Sequence, residues 1–461
     1  MGSPPPRAPL VRELHVPPQV LRTLAARNSE RYPLLLDSAA AGPLSDTSVL
    51  LALPRAALTL SADGTLSGRG MRPEGTSFLE ALEHWWRAES TPPLRTPLPL
   101  HGGWALFLGY ELAQEVEPHL RLPMTPLPWV AFALRTPCAL VHELGSGRVF
   151  ATAEAGNEEA LGVLEADARS AAGTSAAVDA LAVRAVQEED PQAYLERVRR
   201  AKEYVRAGDI YQANLSRYWD VRVQAGGGAS AAAALYGRLR QANPAPFAGL
   251  AQYEDVAIVS SSPERLVRVA GRAVDTRPIA GTFPRSRRPG DDRREMSALA
   301  AHPKERAEHI MLIDLERNDL GRVCEAGTVR VDELMSIESY THVHHLVSNV
   351  RGVLRPEVTP VGALKAVFPG GTITGVPKFR CMQIIAELEG AGRGAYTGSL
   401  GYLTPEGRLD VNILIRTMTL QDGTVRLHAG AGIVADSDPT RELEETRAKA
   451  RGLLAALGAR P

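Results

Sequence analysis

Cysteine is scarce in this chain of 461 residues: Cys138, Cys324 and Cys381 are the three present, far apart and without a C-x-x-C pair. An odd, scattered set excludes a disulfide framework and a cysteine-rich zinc site, and it points to a reducing, cytoplasmic setting. Aromatic residues are few, at 5%, beside 34 prolines and 41 glycines, a balance that fits a loop-rich soluble protein. Net charge is nearly absent too. A formal charge of −1 gives no broad attraction to nucleic acid or to an anionic membrane. No apolar run approaches the roughly 20 residues that a membrane-spanning helix needs. The opening Met1-Gly2-Ser3-Pro4-Pro5-Pro6 lacks the apolar core of a signal peptide.

What is present reads as two halves. Residues 1–155 alternate short apolar strands with turns, as in Trp104 to Leu108. Residues 156–189 are rich in Ala, Glu and Gly and read as a peripheral helix with a linker. A second unit, 190–455, opens with apolar residues at helical spacing from Tyr194 to Val205. Gly208 stops that helix, and a strand runs from Ile210 to Trp219. Hairpin-like turns separate strands as often as helices do, so the expected class is α+β rather than a doubly wound parallel sheet.

Several segments can carry chemistry. Near the end, Gly430-Ala431-Gly432 leads through Asp436-Ser437-Asp438-Pro439 into a helix bearing Glu442 and Glu445. Small residues bare main-chain N–H groups to an anion, and glutamates three apart share a helix face. Glu305 and Glu308 repeat that spacing. Either pair alone reads as an ordinary solvated helix face. The two together can form an acidic floor for one Mg²⁺, which takes hard oxygen ligands and few protein carboxylates. In Thr341-His342-Val343-His344-His345, strand alternation puts His342 and His344 on one face and His345 on the other. That disfavours a three-histidine metal site and leaves one histidine as a candidate general acid. Gly370 to Gly375 has the glycine spacing of a phosphate loop, but Val376-Pro377 stand where Lys and Ser/Thr belong. With Thr372 and Lys378 it remains an anion cradle. Asp436 to Pro439 interrupts the helix that a dinucleotide-binding turn must open, which excludes that reading of Gly430-x-Gly432.

Together these segments resemble the chorismate-utilising enzymes over residues 30–455. The motifs are Gln212-Ala213-Asn214-Leu215, Ser262-Pro263-Glu264-Arg265, Arg277-Pro278-Ile279-Ala280-Gly281-Thr282, the Glu305 helix, His345-Leu346-Val347-Ser348, the Gly370 loop, Leu414-Ile415-Arg416-Thr417 and the Gly430 segment. The resemblance implies two stacked antiparallel β-sheets flanked by helices. It implies Mg²⁺ held by Glu308 and Glu445, with Glu305 and Glu442 holding its waters, and the metal gripping the ring carboxylate of chorismate. Arg416 and Tyr396 would take the enolpyruvyl carboxylate, with main-chain help near Ala431 and Gly432. Thr282 would line the site, and His345 would give a proton to the departing C4 hydroxyl.

Within that family, Gln212 stands where members that add water carry a lysine, so the resemblance implies ammonia as nucleophile. Three segments, around Gln212, Glu264 and Gly370, look like the aminodeoxychorismate synthase component I type, which leads to 4-aminobenzoate and folate. Ala280 looks like the anthranilate synthase type, because alanine cannot form the covalent adduct of a lysine at that position. Three segments against one position put the aminodeoxychorismate reading first and the anthranilate reading second. A non-catalytic paralogue is a third reading, disfavoured because the acidic pairs, His345 and Arg416 are all kept. No glutaminase-like cysteine elbow is visible, so ammonia is expected from a separate glutamine amidotransferase subunit. Asp37-Ser38 resembles part of the family's tryptophan pocket, or else ends an ordinary buried strand.

Overall fold

The computed structural model describes residues 8–40, 42, 44–94, 96–173, 181–224, 228–285, 288–340 and 343–459, without the side chains of residues 228, 229, 282, 284, 289 and 304. Two large β-sheets, of 12 and 11 strands, form its framework, and all the strand pairings described are antiparallel. Both chain halves contribute to each sheet. In the larger sheet, Leu34–Asp37 of the first half pairs with Phe247–Tyr253 of the second, Leu35 opposite Leu250. In the smaller sheet, Gly103–Leu108 pairs with Ser399–Leu403, Phe107 opposite Leu400. The α+β class with two stacked sheets is therefore observed.

The layers follow from strand alternation. Leu34 packs between the sheets with Val49, Phe107, Trp129, Ile258 and Leu400, and Leu36 lies against that layer. Leu35 points the other way, into a layer formed with Leu21, Leu140 and Tyr236 under the flanking helices. A third apolar layer covers the outer face of the smaller sheet, where Phe78, Trp85 and Leu364 meet Val267 and Leu409. Trp129 anchors the centre, edge-on to Phe107 at 4.8 Å and to Phe132 at 4.9 Å between ring centroids. No helix among the described residues is long and apolar enough to cross a membrane.

The expected helix after Asp190 spans Pro191–Ala207. Asp190 caps it by accepting from the Gln192 N–H at 3.0 Å, and Gly208 ends it at φ +80°. Segment 156–189 holds the expected helix and, beyond it, a strand in place of part of the linker. Glu158–Ala172 is a helix that buries Leu161, Leu164 and Ala168 in the core, and Ala182–Glu188 is a strand paired with Gln212–Gln224. Its mostly exposed side chains gave no alternation to read, because an edge strand packs little on either face. Residues 174–180, in the middle of that segment, and His342 lie outside the described residues.

Candidate active site

Two neighbouring strands form a floor. Gln212–Gln224 pairs with Thr424–Ile433, Asn214 opposite Gly432 and Ser216 opposite Gly430. The glycines are required by close approach. A Cβ on Gly432 would fall 2.1 Å from Gln212 Nε2, and one on Gly430 would fall 2.7 Å from Tyr396 Oη and 2.6 Å from Asn214 Oδ1. Gln212 Nε2 donates to Glu308 Oε1 at 2.8 Å, which ties the floor to the helix Pro303–Gly321. Gln212 Oε1 and Asn214 Oδ1 are buried and accept no hydrogen bond among the described residues. They are two acceptors left for an N–H or O–H that the protein does not supply.

Both acidic helices border this floor. Glu305 starts the first, its N–H donating to the His302 ring at 3.4 Å, and its carboxylate lies against Gly281. The second helix, Pro439–Leu457, is capped by Asp438, which accepts from the Arg441 N–H at 3.0 Å. Here Glu442 is buried and Glu445 is half exposed. Glu445 pairs with Lys449 at 2.8 Å, and Lys449 Nζ donates to the Gly430 carbonyl at 2.9 Å. No group of three or more His, Cys, Asp or Glu side chains among the described residues converges as a ready metal cage. The hard carboxylate oxygens of Glu308, close to Gly432, and of Glu445, whose partner Lys449 reaches the Gly430 carbonyl, are nevertheless of the kind that Mg²⁺ takes, since it keeps most of its waters and needs one or two protein carboxylates.

Tyr396 forms one wall. Its ring stacks on His428 with centroids 5.2 Å apart and planes 12° from parallel, and the Arg393 guanidinium lies 5.6 Å from its centre. Arg393 is itself fixed by Glu389 at 2.7 Å and by the Asn214 carbonyl at 2.7 Å. A second wall is the antiparallel pair Ile279–Pro284 and Val343–Val353, distant in sequence, which sets Ala280 opposite Leu346 and Thr282 opposite His345. The Thr282 side chain lies outside the described residues. His344 faces away and is held by Ser339 at 2.8 Å and Asp292 at 3.0 Å, as alternation required.

His345 and Arg416 share a small cavity. Burial, helped by the Arg416 charge, lowers the His345 pKa to about 3, so the imidazole is neutral near pH 7. A neutral ring there can hydrogen-bond but holds no proton to give readily, which weakens the expectation that it is the acid. Glu264 suits that task better. It is buried at 3% exposure and accepts from the Ile279 N–H at 3.3 Å. Burial raises its pKa to about 8, with the Glu316 charge adding to the rise and Arg416 opposing it. Arg416, at φ +52°, has its own pKa lowered to about 10 by burial. The signal for Glu264 was in view in Ser262-Pro263-Glu264-Arg265. Its burial, which raises its pKa, was not. His428 was missed for the same reason, since a lone histidine on a strand carries no mark of its stacking partner.

Lys378 does not join the site. Its Nζ pairs with Asp319 and donates to the Val367 carbonyl at 3.0 Å. Asp319 lies three helical turns beyond Glu308, about 16 Å along the axis at ~1.5 Å per residue. A buried carboxylate captured the lysine that the glycine loop had suggested as a substrate contact. Asp37 is also spoken for. Ser48 donates to its Oδ1 at 2.8 Å, and Tyr236 and Arg240 donate to its Oδ2 at 2.8 and 2.7 Å, all on the helix side of the sheet. Ser38 donates to the Thr47 carbonyl at 2.9 Å and lines, with Leu36 and Phe247, a cavity of about 570 Å³.

Comparison with known proteins shows the family. The family described as chorismate binding enzyme matches residues 53–455. "Anthranilate synthase component 1" of Thermus thermophilus is 40% identical over 446 residues, covering 93% of each chain. "Anthranilate synthase component I-like protein" of Synechocystis is 42% identical over 362 residues, 78% of this chain and 73% of its own. The crystal structure of anthranilate synthase component I from Streptococcus pneumoniae superposes with a TM-score of 0.78 at 30% identity, covering 90% of this chain and 93% of that one. The chain belongs to the chorismate-binding enzyme family.

Proposed function

We propose that this protein is the chorismate-aminating subunit of an anthranilate synthase: ammonia adds at C2 of chorismate, the C4 hydroxyl leaves as water, and pyruvate is then expelled. One observation carries the choice between the two ammonia chemistries. Ala280, 4% exposed, places a methyl group where the aminodeoxychorismate mechanism needs an amine. Lys378 and Lys449 are held in ion pairs and do not replace it. The relatives named above favour the same reading, which stood second on the sequence. The segments around Gln212, Glu264 and Gly370 favour the aminodeoxychorismate reading, and the product decides between them.

The residues divide the work as follows. Arg416 offers a planar fork to one carboxylate of a dicarboxylic substrate, and Tyr396 Oη faces the same floor. Gln212 holds Glu308 through Nε2 and keeps Oε1 as an acceptor for an N–H of ammonia. Glu264, protonated at neutral pH, gives the proton that lets hydroxide depart as water. His345 remains a neutral hydrogen-bonding group beside the reacting ring. Mg²⁺, held by Glu308 and Glu445 with Glu305 and Glu442 on its waters, would polarise the ring carboxylate when bound. A separate glutamine amidotransferase subunit would supply ammonia, with free ammonium substituting in vitro. Pyruvate release, followed through lactate dehydrogenase, tests the reading. One pyruvate for each chorismate consumed is expected, and chorismate consumption without pyruvate would overturn it.

A further inference from the structure

Away from this site, a second cavity of about 260 Å³ lies on the helix side of the larger sheet, beneath the short helix Val20–Arg27. Strand alternation places it across the sheet from the 570 Å³ cavity. Leu34 and Leu36 point between the sheets, whereas Leu35 and Asp37 point under the helices. Its charged lining is unbalanced. Arg22, Arg240 and His142 face it with Asp37 as the one carboxylate, and Gln19 and Ser48 complete the polar rim.

That carboxylate is already committed. It accepts from Ser48, Tyr236 and Arg240 at 2.7–2.8 Å. Arg22 is half-buried, and among the described residues it makes no ion pair or hydrogen bond. Burial, then the neighbouring Arg240, lower its pKa, and the nearby Asp37 charge opposes that shift without cancelling it. His142 likewise makes no hydrogen bond among the described residues, and burial lowers its pKa. Two guanidiniums facing one saturated carboxylate leave the cavity one negative charge short. Guanidinium forks match planar or tetrahedral oxyanions, and the volume exceeds what a single such group fills.

We propose that this cavity is a binding site for a small oxyanion, a phosphate or a carboxylate, held by Arg22 and completed by Arg240 and His142. The site is separate from the acidic floor and from the cavity between the sheets, although Asp37 and Ser38 wall both cavities. Its ligand bridges the short helix to the helix that bears Arg240, so occupancy stiffens the contact between the two chain halves at this edge.

Inorganic phosphate and acetate, titrated separately against the full chain at constant ionic strength in low chloride, test the site by calorimetry and thermal melting. A saturable heat and a rise in melting temperature with phosphate alone mark a phosphate site; with acetate, a carboxylate site. In Arg22→Gln the affinity is expected to fall about tenfold or more, with Arg22→Lys intermediate, since a lysine keeps the charge but loses the fork. Turnover of chorismate by these variants reports that each is folded. No saturable response to either anion, or an unchanged affinity in Arg22→Gln, would overturn the proposal.

Discussion

Replacing Glu264 by Gln keeps the shape and the Ile279 N–H contact but removes the proton. The carboxyl is buried, and its pKa rises from 4.5 to about 8. At ~1.4 kcal/mol per tenfold change, that difference is on the order of 5 kcal/mol. The sign follows from linkage. Between these two values the unfolded chain has lost the proton and the folded chain has kept it. Stability is therefore full below pH 4.5 and declines as pH rises towards about 8. Glu264→Gln removes this titration. Its unfolding free energy in guanidinium should exceed the parent's at pH 9, while the two converge near pH 4. Chorismate turnover should fall by about 10²–10⁴, the usual share of a general acid. The descending limb of the parent's rate profile near pH 8 should disappear from whatever activity remains. Full turnover in Glu264→Gln, or an unaltered limb near pH 8, would refute the assignment of Glu264 as the acid.

Other substitutions probe separate parts of the site. Glu308→Gln and Glu445→Gln should abolish Mg²⁺-dependent turnover with thermal melting preserved, and retained activity would remove the metal assignment. Gly432→Ala puts a Cβ 2.1 Å from Gln212 Nε2. It should break the Gln212–Glu308 hydrogen bond and cut turnover at least tenfold, and normal kinetics would show that this close approach is unimportant. His345→Ala should lower kcat more than it changes KM, without moving the rate profile between pH 5 and 8, because the ring is neutral throughout that range with its pKa at about 3. A profile that shifts within that window would restore a titrating role to His345.

The sequence was informative where local rules decide structure. Gly208, Asp190 and Asp438 mark helix ends by their own chemistry, and the pairs Glu305/Glu308 and Glu442/Glu445 sit on helices as their spacing implied. The stacked sheets followed from the resemblance carried by ordered motifs. The strand Ala182–Glu188 was hidden because an exposed edge lacks alternation. The surroundings of Lys378, Glu264 and His345 were hidden for a different reason. Each depends on burial and on partners distant in sequence: Asp319 for the lysine, Ile279 and Glu316 for the glutamate, Arg416 for the histidine. Charge state at neutral pH is a property of that surrounding, and spacing along the chain does not reveal it. Ala280 is the reverse case: the proposed reading sets a single residue type against three agreeing segments, because a methyl group cannot form the covalent adduct of a lysine.

The product separates the two ammonia chemistries. Purified protein given chorismate, Mg²⁺ and ammonium should release fluorescent anthranilate, and an added aminodeoxychorismate lyase should change neither the amount nor the identity of what forms. Appearance of 4-aminobenzoate only when the lyase is present would contradict the account and place amination at C4 despite Ala280.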